Sequence, residues 1–200
     1  MKPIFEFVVK PLGDRYNNSI EVGDKKLIVN TEVFNHQYVN REATIISTPM
    51  HNPKGLKEGD IVILHHNVFR RWHNIKGVEK NSRSFLNENE YLISEDQMFM
   101  YKRNDKWNAM PGFTFVKPIK SQNNYDLTPE KPLVGIVKYS DGAFLPTQLV
   151  GFRPNSEYEF IIDGERLYRV MNSFITIEYE YKGDEEEYNP SWAESGGRAN

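Results

Sequence analysis

No stretch of a dozen residues in this chain carries an apolar stripe at helical spacing; the apolar residues fall in short runs, each closed by turn chemistry. That pattern argues against a helical bundle and predicts an all-β chain. The runs read as strands over Phe5–Val9, Lys26–Val29, Ala43–Ser47, Asp60–Leu64, Tyr91–Ser94 and Met98–Tyr101. A second set covers Thr114–Pro118, Leu133–Tyr139, Gln148–Phe152, Tyr158–Ile162, Leu167–Val170 and Phe174–Tyr181. Leu12-Gly13-Asp14, Val22-Gly23-Asp24, Asn52-Pro53-Lys54-Gly55, Asp141-Gly142 and Asp163-Gly164-Glu165 supply turns between them. Many short strands at this spacing point to a barrel or a sandwich.

The two sets repeat one another. Phe7-Val8-Val9-Lys10-Pro11-Leu12 recurs 107 residues on as Thr114-Phe115-Val116-Lys117-Pro118-Ile119. Asp60–Leu64 aligns with Gln148–Phe152 at an offset of 88, and Tyr91–Tyr101 with Leu167–Ile177 at an offset of 76. The blocks keep their order while the offset falls, so the second copy is a version shortened in its loops. Residues 1–103 and 112–182 are therefore expected as two tandem small β-barrels, joined by a packed linker over 104–111. Asp184-Glu185-Glu186-Glu187 and the rest of 183–200 lack periodicity and predict a disordered acidic tail.

Composition narrows the function. Hydrophobic residues are 38% and aromatics 13% of the 200, enough for each half to bury a core. The net charge of −3, with both signs interspersed, gives no electrostatic case for nucleic acid or a membrane surface. No apolar run is long enough for a spanning helix, and the first residues lack a signal-peptide core, so a cytoplasmic protein is expected. Without cysteine there is no disulfide, thiolate ligand or cysteine nucleophile.

Residues 4–103 resemble the GroES-type co-chaperonins. Four blocks carry the likeness: Lys10-Pro11-Leu12-Gly13-Asp14-Arg15; Leu56-Lys57-Glu58-Gly59-Asp60 with Ile61–Leu64; Glu90–Met100; and the apolar triplet Leu27-Ile28-Val29 where the family has a mobile loop. Each block also has a local reading: Pro11 ends a ladder because it has no N–H, and Asp14 beside Arg15 offers a local charge pair. The stretch 48–58 is shorter than the roof hairpin of the bacterial family, whereas 70–89 is longer and rich in Lys, Arg, Asn and Ser. These departures suit a divergent, bacteriophage-encoded relative acting in a host cytoplasm.

The resemblance implies a ring-shaped homo-oligomer, a heptamer in the family, that caps a GroEL-type chaperonin around an unfolded client. It implies docking through Leu27, Ile28 and Val29 in a loop over about 17–38. It also implies ring contacts between the first strand of one subunit and the last of the next: Phe5, Phe7 and Val9 against Met98 and Met100. The residues alone leave a second reading open for Leu27–Val29, as the return strand of an ordinary hairpin. An alternative function is open too, a structural or assembly protein of the virion type that keeps the fold without binding a chaperonin.

Enzymatic chemistry finds little purchase. His65 and His66 are neighbours on an expected strand, so they would point to opposite faces and could not share an ion; His36, His51 and His73 are scattered. No Gly-x-Gly-x-x-Gly loop opens a helix, as a dinucleotide-binding enzyme requires. Glu58/Asp60 and Glu95/Asp96 read as solvated turns, and the aromatic strands Tyr158–Phe160 and Tyr179–Tyr181 lack the basic groove of a nucleic-acid platform. The expectation is a non-enzymatic protein with no catalytic residue, no metal and no cofactor.

Overall fold

A computed structural model describes residues 3–16, 19–22, 25–28, 38–122, 129–180 and 183–194. The chain divides into two compact units, Met1–Lys106 and Trp107–Asn200. The protein is mostly β, with antiparallel sheets.

In the first unit the strands are β1 (Phe7–Pro11), β2 (Ser19–Val22), β3 (Lys25–Ile28), β4 (Glu42–Ser47), β5 (Ile61–Leu64), β6 (Arg71–His73), β7 (Glu79–Asn81), β8 (Phe85–Asn87), β9 (Glu90–Ile93) and β10 (Met98–Arg103). The main sheet runs β10-β5-β4-β1-β9-β8, and β11 (Lys106–Ala109) follows β10 through a two-residue turn in which Asn104 and Asp105 both have positive φ. The second unit contains β12 (Phe113–Lys120), β13 (Glu130–Ser140), β14 (Leu149–Phe152), β15 (Tyr158–Ile162), β16 (Glu165–Met171) and β17 (Ile175–Tyr179), in the order β17-β14-β13-β12-β16-β15. Both orders run from one edge strand to another, so the sheets are open and not the closed barrels expected from strand spacing.

Strand for strand the two orders are the same, and so is the register. Phe7 faces Ile93 in β9 as Thr114 faces Val170 in β16. The β1–β4 ladder steps from Val8↔Ser47 to Val9↔Ile45, bulging at Ile46; β12–β13 steps from Phe115↔Tyr139 to Val116↔Val137, bulging at Lys138. Between β10 and β5 the pairs are Met98↔Leu64 and Met100↔Ile63, and between β17 and β14 they are Ile175↔Phe152 and Ile177↔Gly151. A 3-10 turn enters the last strand in both, Glu95–Gln97 and Asn172–Phe174. The sequence offsets of 107 and 88 hold in these ladders, but the last block is shifted: Tyr91 corresponds to Tyr168, 77 residues on, and not to Leu167.

Each unit has its own core. Phe7, Val9, Ile45, Val62, Leu64, Phe69, Tyr91, Ile93, Met98 and Met100 are buried in the first, with Tyr91 edge-on to Phe69 at 4.7 Å. In the second, Val116, Val137, Val150, Phe152 and Val170 form one cluster, and Ile119, Val134, Ile136 and Leu149 another. Runs buried on both faces, such as Val62–Leu64 and Phe115–Ile119, explain why strict alternation is missing from these strands.

The acidic segment after β17 departs from expectation. Its described residues, through Glu194, include backbone and ion-pair contacts to the second unit, although Asp184, Glu186 and Glu187 stay exposed. Glu187 bridges to Ile119, Lys120 N donates to Glu186 O at 2.7 Å and Tyr188 N to Pro118 O at 2.8 Å. The segment thus takes up the β12 backbone beyond the point where β16 stops pairing. Lysines receive its charges: Lys117 bonds Glu187 and, at 3.0 Å, Glu165; Lys120 meets Glu186; Lys131 reaches Glu185 at 3.6 Å. Past it, α1 (Ser191–Glu194) buries Ala193 completely, and Arg166 lies over the Trp192 ring.

This packing makes the second unit acid-sensitive. Burial alone would raise the Glu165 pKa, but hydrogen bonds from Lys138 and Lys117 outweigh it and hold the carboxyl below its ordinary 4.5. A carboxyl depressed in the folded state contributes stability at pH values above the ordinary one, and loses it as pH falls through the folded value. Burial likewise works against the Lys117 charge, yet bonds to Glu187 and Glu165 leave its pKa raised, so its contribution persists across neutral and acidic pH while its partners stay ionised. Melting of the second unit is expected to hold steady from neutrality to about pH 5 and to decline below that, with Glu165→Gln flattening the decline. An unchanged acid slope in that variant would count against the network.

Candidate functional site

The segment carrying the apolar triplet is an excursion closed by hydrogen bonds at its base. Tyr16 bridges to Val39, and Asn40 N donates to Arg15 O at 3.1 Å. Asn40 itself is buried; its Nδ2 donates to the carbonyls of Leu12 and Asp14, each at 2.8 Å, while its Oδ1 accepts from Glu42 N at 2.9 Å. One side chain thereby ties together the chain entering and leaving the excursion. Arg15 turns inward: Nε donates to Phe69 O at 3.0 Å, a terminal nitrogen donates to Asn81 Oδ1 at 2.7 Å, and the guanidinium lies over Phe85 and Tyr91. Burial lowers its pKa. Sequence reasoning assigned Arg15 a local partner and did not single out Asn40.

Within the excursion β2 and β3 pair as an isolated hairpin, Ser19↔Ile28 to Val22↔Lys25, in a two-stranded sheet separate from the main one. Leu27 and Ile28 therefore sit on an ordered strand among the described residues, and Leu27 is 49% exposed. Val29 and most of the stretch expected as loop up to residue 38 lie outside the described residues. The structure thus combines the two readings of the sequence at Leu27: it is on a hairpin, and it is not in a core.

The residues assigned to ring contacts fall elsewhere. Phe7, Val9, Met98 and Met100 are completely buried in the first unit's own core. Both of their strands are interior: β1 is bonded to β4 and β9, and β10 to β5 and β11. Neither strand is an edge of the sheet open to a neighbouring subunit. Phe5 precedes β1 and is 75% exposed. The resemblance placed ring contacts on these two strands; in this chain β9 pairs with β1 from a distant part of the sequence, and the short polar strand β11 pairs with β10 across a two-residue turn. Among the described residues, β8 and β11 end the larger sheet and β15 and β17 end the six-stranded one; β17 exposes Ile177 and Tyr179.

His65 and His66 follow β5 in a turn, not on a strand, and their rings stack at 4.3 Å. Among the described residues no three His, Asp or Glu side chains gather as a metal site would require, and no helix is long and apolar enough to cross a membrane. The inserted stretch after Phe69 folds into the hairpin β6–β7 and strand β8. With the turn after β5 it encloses a cleft of about 470 Å³ lined by Asn67, Arg70, Trp72, Ser82, Arg83 and Gln97. The sequence showed this stretch as long and rich in Lys, Arg, Asn and Ser, but not that its residues enclose a cleft. Comparison of the chain with family models, with curated proteins and with solved structures found no match.

Proposed function

We propose that this chain is a co-chaperonin: a ring-forming lid whose hairpins dock on a GroEL-type chaperonin and help enclose a folding client. The observation that carries the reading is the β2–β3 hairpin, which pairs in a sheet separate from the main one and exposes Leu27. Burying three aliphatic side chains contributes roughly 1.5–3 kcal/mol each, and ordering the flanking chain offsets much of it. A single hairpin would then bind weakly and reversibly, while several on one ring gain through effective concentration. A lid that leaves at every cycle needs that combination. ATP hydrolysis belongs to the chaperonin, and the chain itself needs no catalytic residue. The matched order, register and bulges of the two sheets support a duplication of one ancestral unit.

The second reading, a structural or assembly protein, is favoured by one observation: β1 and β10, the strands the family uses for its ring, are already paired on both sides. In the co-chaperonin reading ring contacts fall instead to free edges such as β17. Refolding separates the two. Added with ATP to a chaperonin holding a client that needs encapsulation, the chain is expected to raise the yield of active client. A yield equal to that of chaperonin and ATP alone would favour the structural reading.

A further inference from the structure

The cleft built by the inserted stretch has a composition that the docking reading does not use. Arg70 and Arg83 both line it, and among the described residues neither has a carboxylate partner. The Nε of Arg70 is buried without a hydrogen-bond acceptor. A buried guanidinium N–H left unpaired is costly, and the Arg70 side chain would gain by turning onto an anion held in the cleft. Around the two arginines stand neutral polar groups, Asn67, Ser82, Ser84 and Gln97, and among the described residues no acidic side chain lines the cleft. Ser82 is held in place by donating its hydroxyl to Val68 O at 2.5 Å. Trp72, 37% exposed on β6, adds an aromatic ring to the same wall.

Paired arginines recognise phosphate by charge-assisted, two-pronged hydrogen bonds, and an exposed indole offers a stacking face to a planar ring. A volume of about 470 Å³ suits a small organic molecule. We propose that this cleft binds a nucleoside monophosphate, its phosphate between Arg70 and Arg83 and its base against Trp72. A polymer is disfavoured, because the whole chain carries a net charge of −3 and the cleft presents only Arg70 and Arg83 as basic groups.

Calorimetric titration of the full chain with adenosine monophosphate, inorganic phosphate, adenosine and a single-stranded oligoadenylate tests this. Adenosine monophosphate is expected to bind at least about tenfold more tightly than phosphate, and adenosine more weakly still. Arg83→Gln, at an exposed position, should weaken adenosine monophosphate about tenfold or more while melting as the parent does; Arg70→Gln should do the same to binding. Trp72→Ala should bring adenosine monophosphate down to the affinity of phosphate. No binding of either anion at millimolar concentration overturns the site. Equal affinities for phosphate and adenosine monophosphate overturn the nucleotide assignment, as does an oligoadenylate affinity that climbs with length. Unchanged binding in the Arg70→Gln/Arg83→Gln double variant overturns the assignment to this cleft.

Discussion

A chain carrying Leu27→Ser, Ile28→Ser and Val29→Ser is expected to melt where the parent melts and to lose chaperonin binding altogether. The hairpin forms its own two-stranded sheet and Leu27 is 49% exposed; in the docking reading the other two residues are exposed in the free chain as well, so serine at the three positions spares the main core. Changes at exposed positions away from caps and buried networks fall within about 0.5 kcal/mol. Binding responds very differently. Each docked aliphatic side chain contributes roughly 1.5–3 kcal/mol, and in a ring every hairpin loses its anchors together, so the multivalent gain disappears with the single-site affinity. A thermal melt and a chaperonin pull-down on one variant read both effects. A folded variant that still binds removes the docking assignment, whereas loss of fold would mean that the triplet is structural.

Phe7→Ala is expected to cost the first unit about 3–5 kcal/mol, because it empties space in a fully enclosed part of the core. Phe5→Ala, two residues earlier and largely exposed, should stay within about 0.5 kcal/mol. The contrast distinguishes a core residue from a ring contact. Urea denaturation followed by circular dichroism gives the stabilities, and light scattering gives the mass. If Phe7→Ala kept the parent's stability but dissociated an assembly, β1 would have to be returned to a subunit interface.

The strands were legible because their apolar runs are short and bounded by turn residues. Tyr158–Ile162 was read to the residue, and the other runs lie within a few residues of β1, β3–β5, β9, β10, β12–β14, β16 and β17. β2, β6, β7, β8 and β11 escaped because Ser19–Val22, Arg71–His73, Glu79–Asn81, Phe85–Asn87 and Lys106–Ala109 are polar or too short to show a period. The one-residue slip at Leu167 has a specific cause. Leu167 is wholly buried and attracts alignment with Tyr91, yet successive strand residues face opposite ways, and it is Tyr168 and Val170 that share the face of the Val116 cluster. The acidic run Glu185–Glu187 reads as solvated in isolation; the lysines that hold it, Lys117, Lys120 and Lys131, lie more than fifty residues away in sequence. The candidate docking triplet was legible by position, whereas the knot at Asn40 and the cleft at Arg70 and Arg83 arise from contacts between distant segments.

In the proposed function, the β2–β3 hairpin makes this chain a lid for a chaperonin. Co-sedimentation with a purified GroEL-type double ring, with and without ATP, tests it most directly. The chain is expected to pellet with the double ring when ATP is present and to stay in the supernatant when nucleotide is absent. A parent chain that remains in the supernatant under both conditions, while a known co-chaperonin pellets alongside it, would contradict the claim.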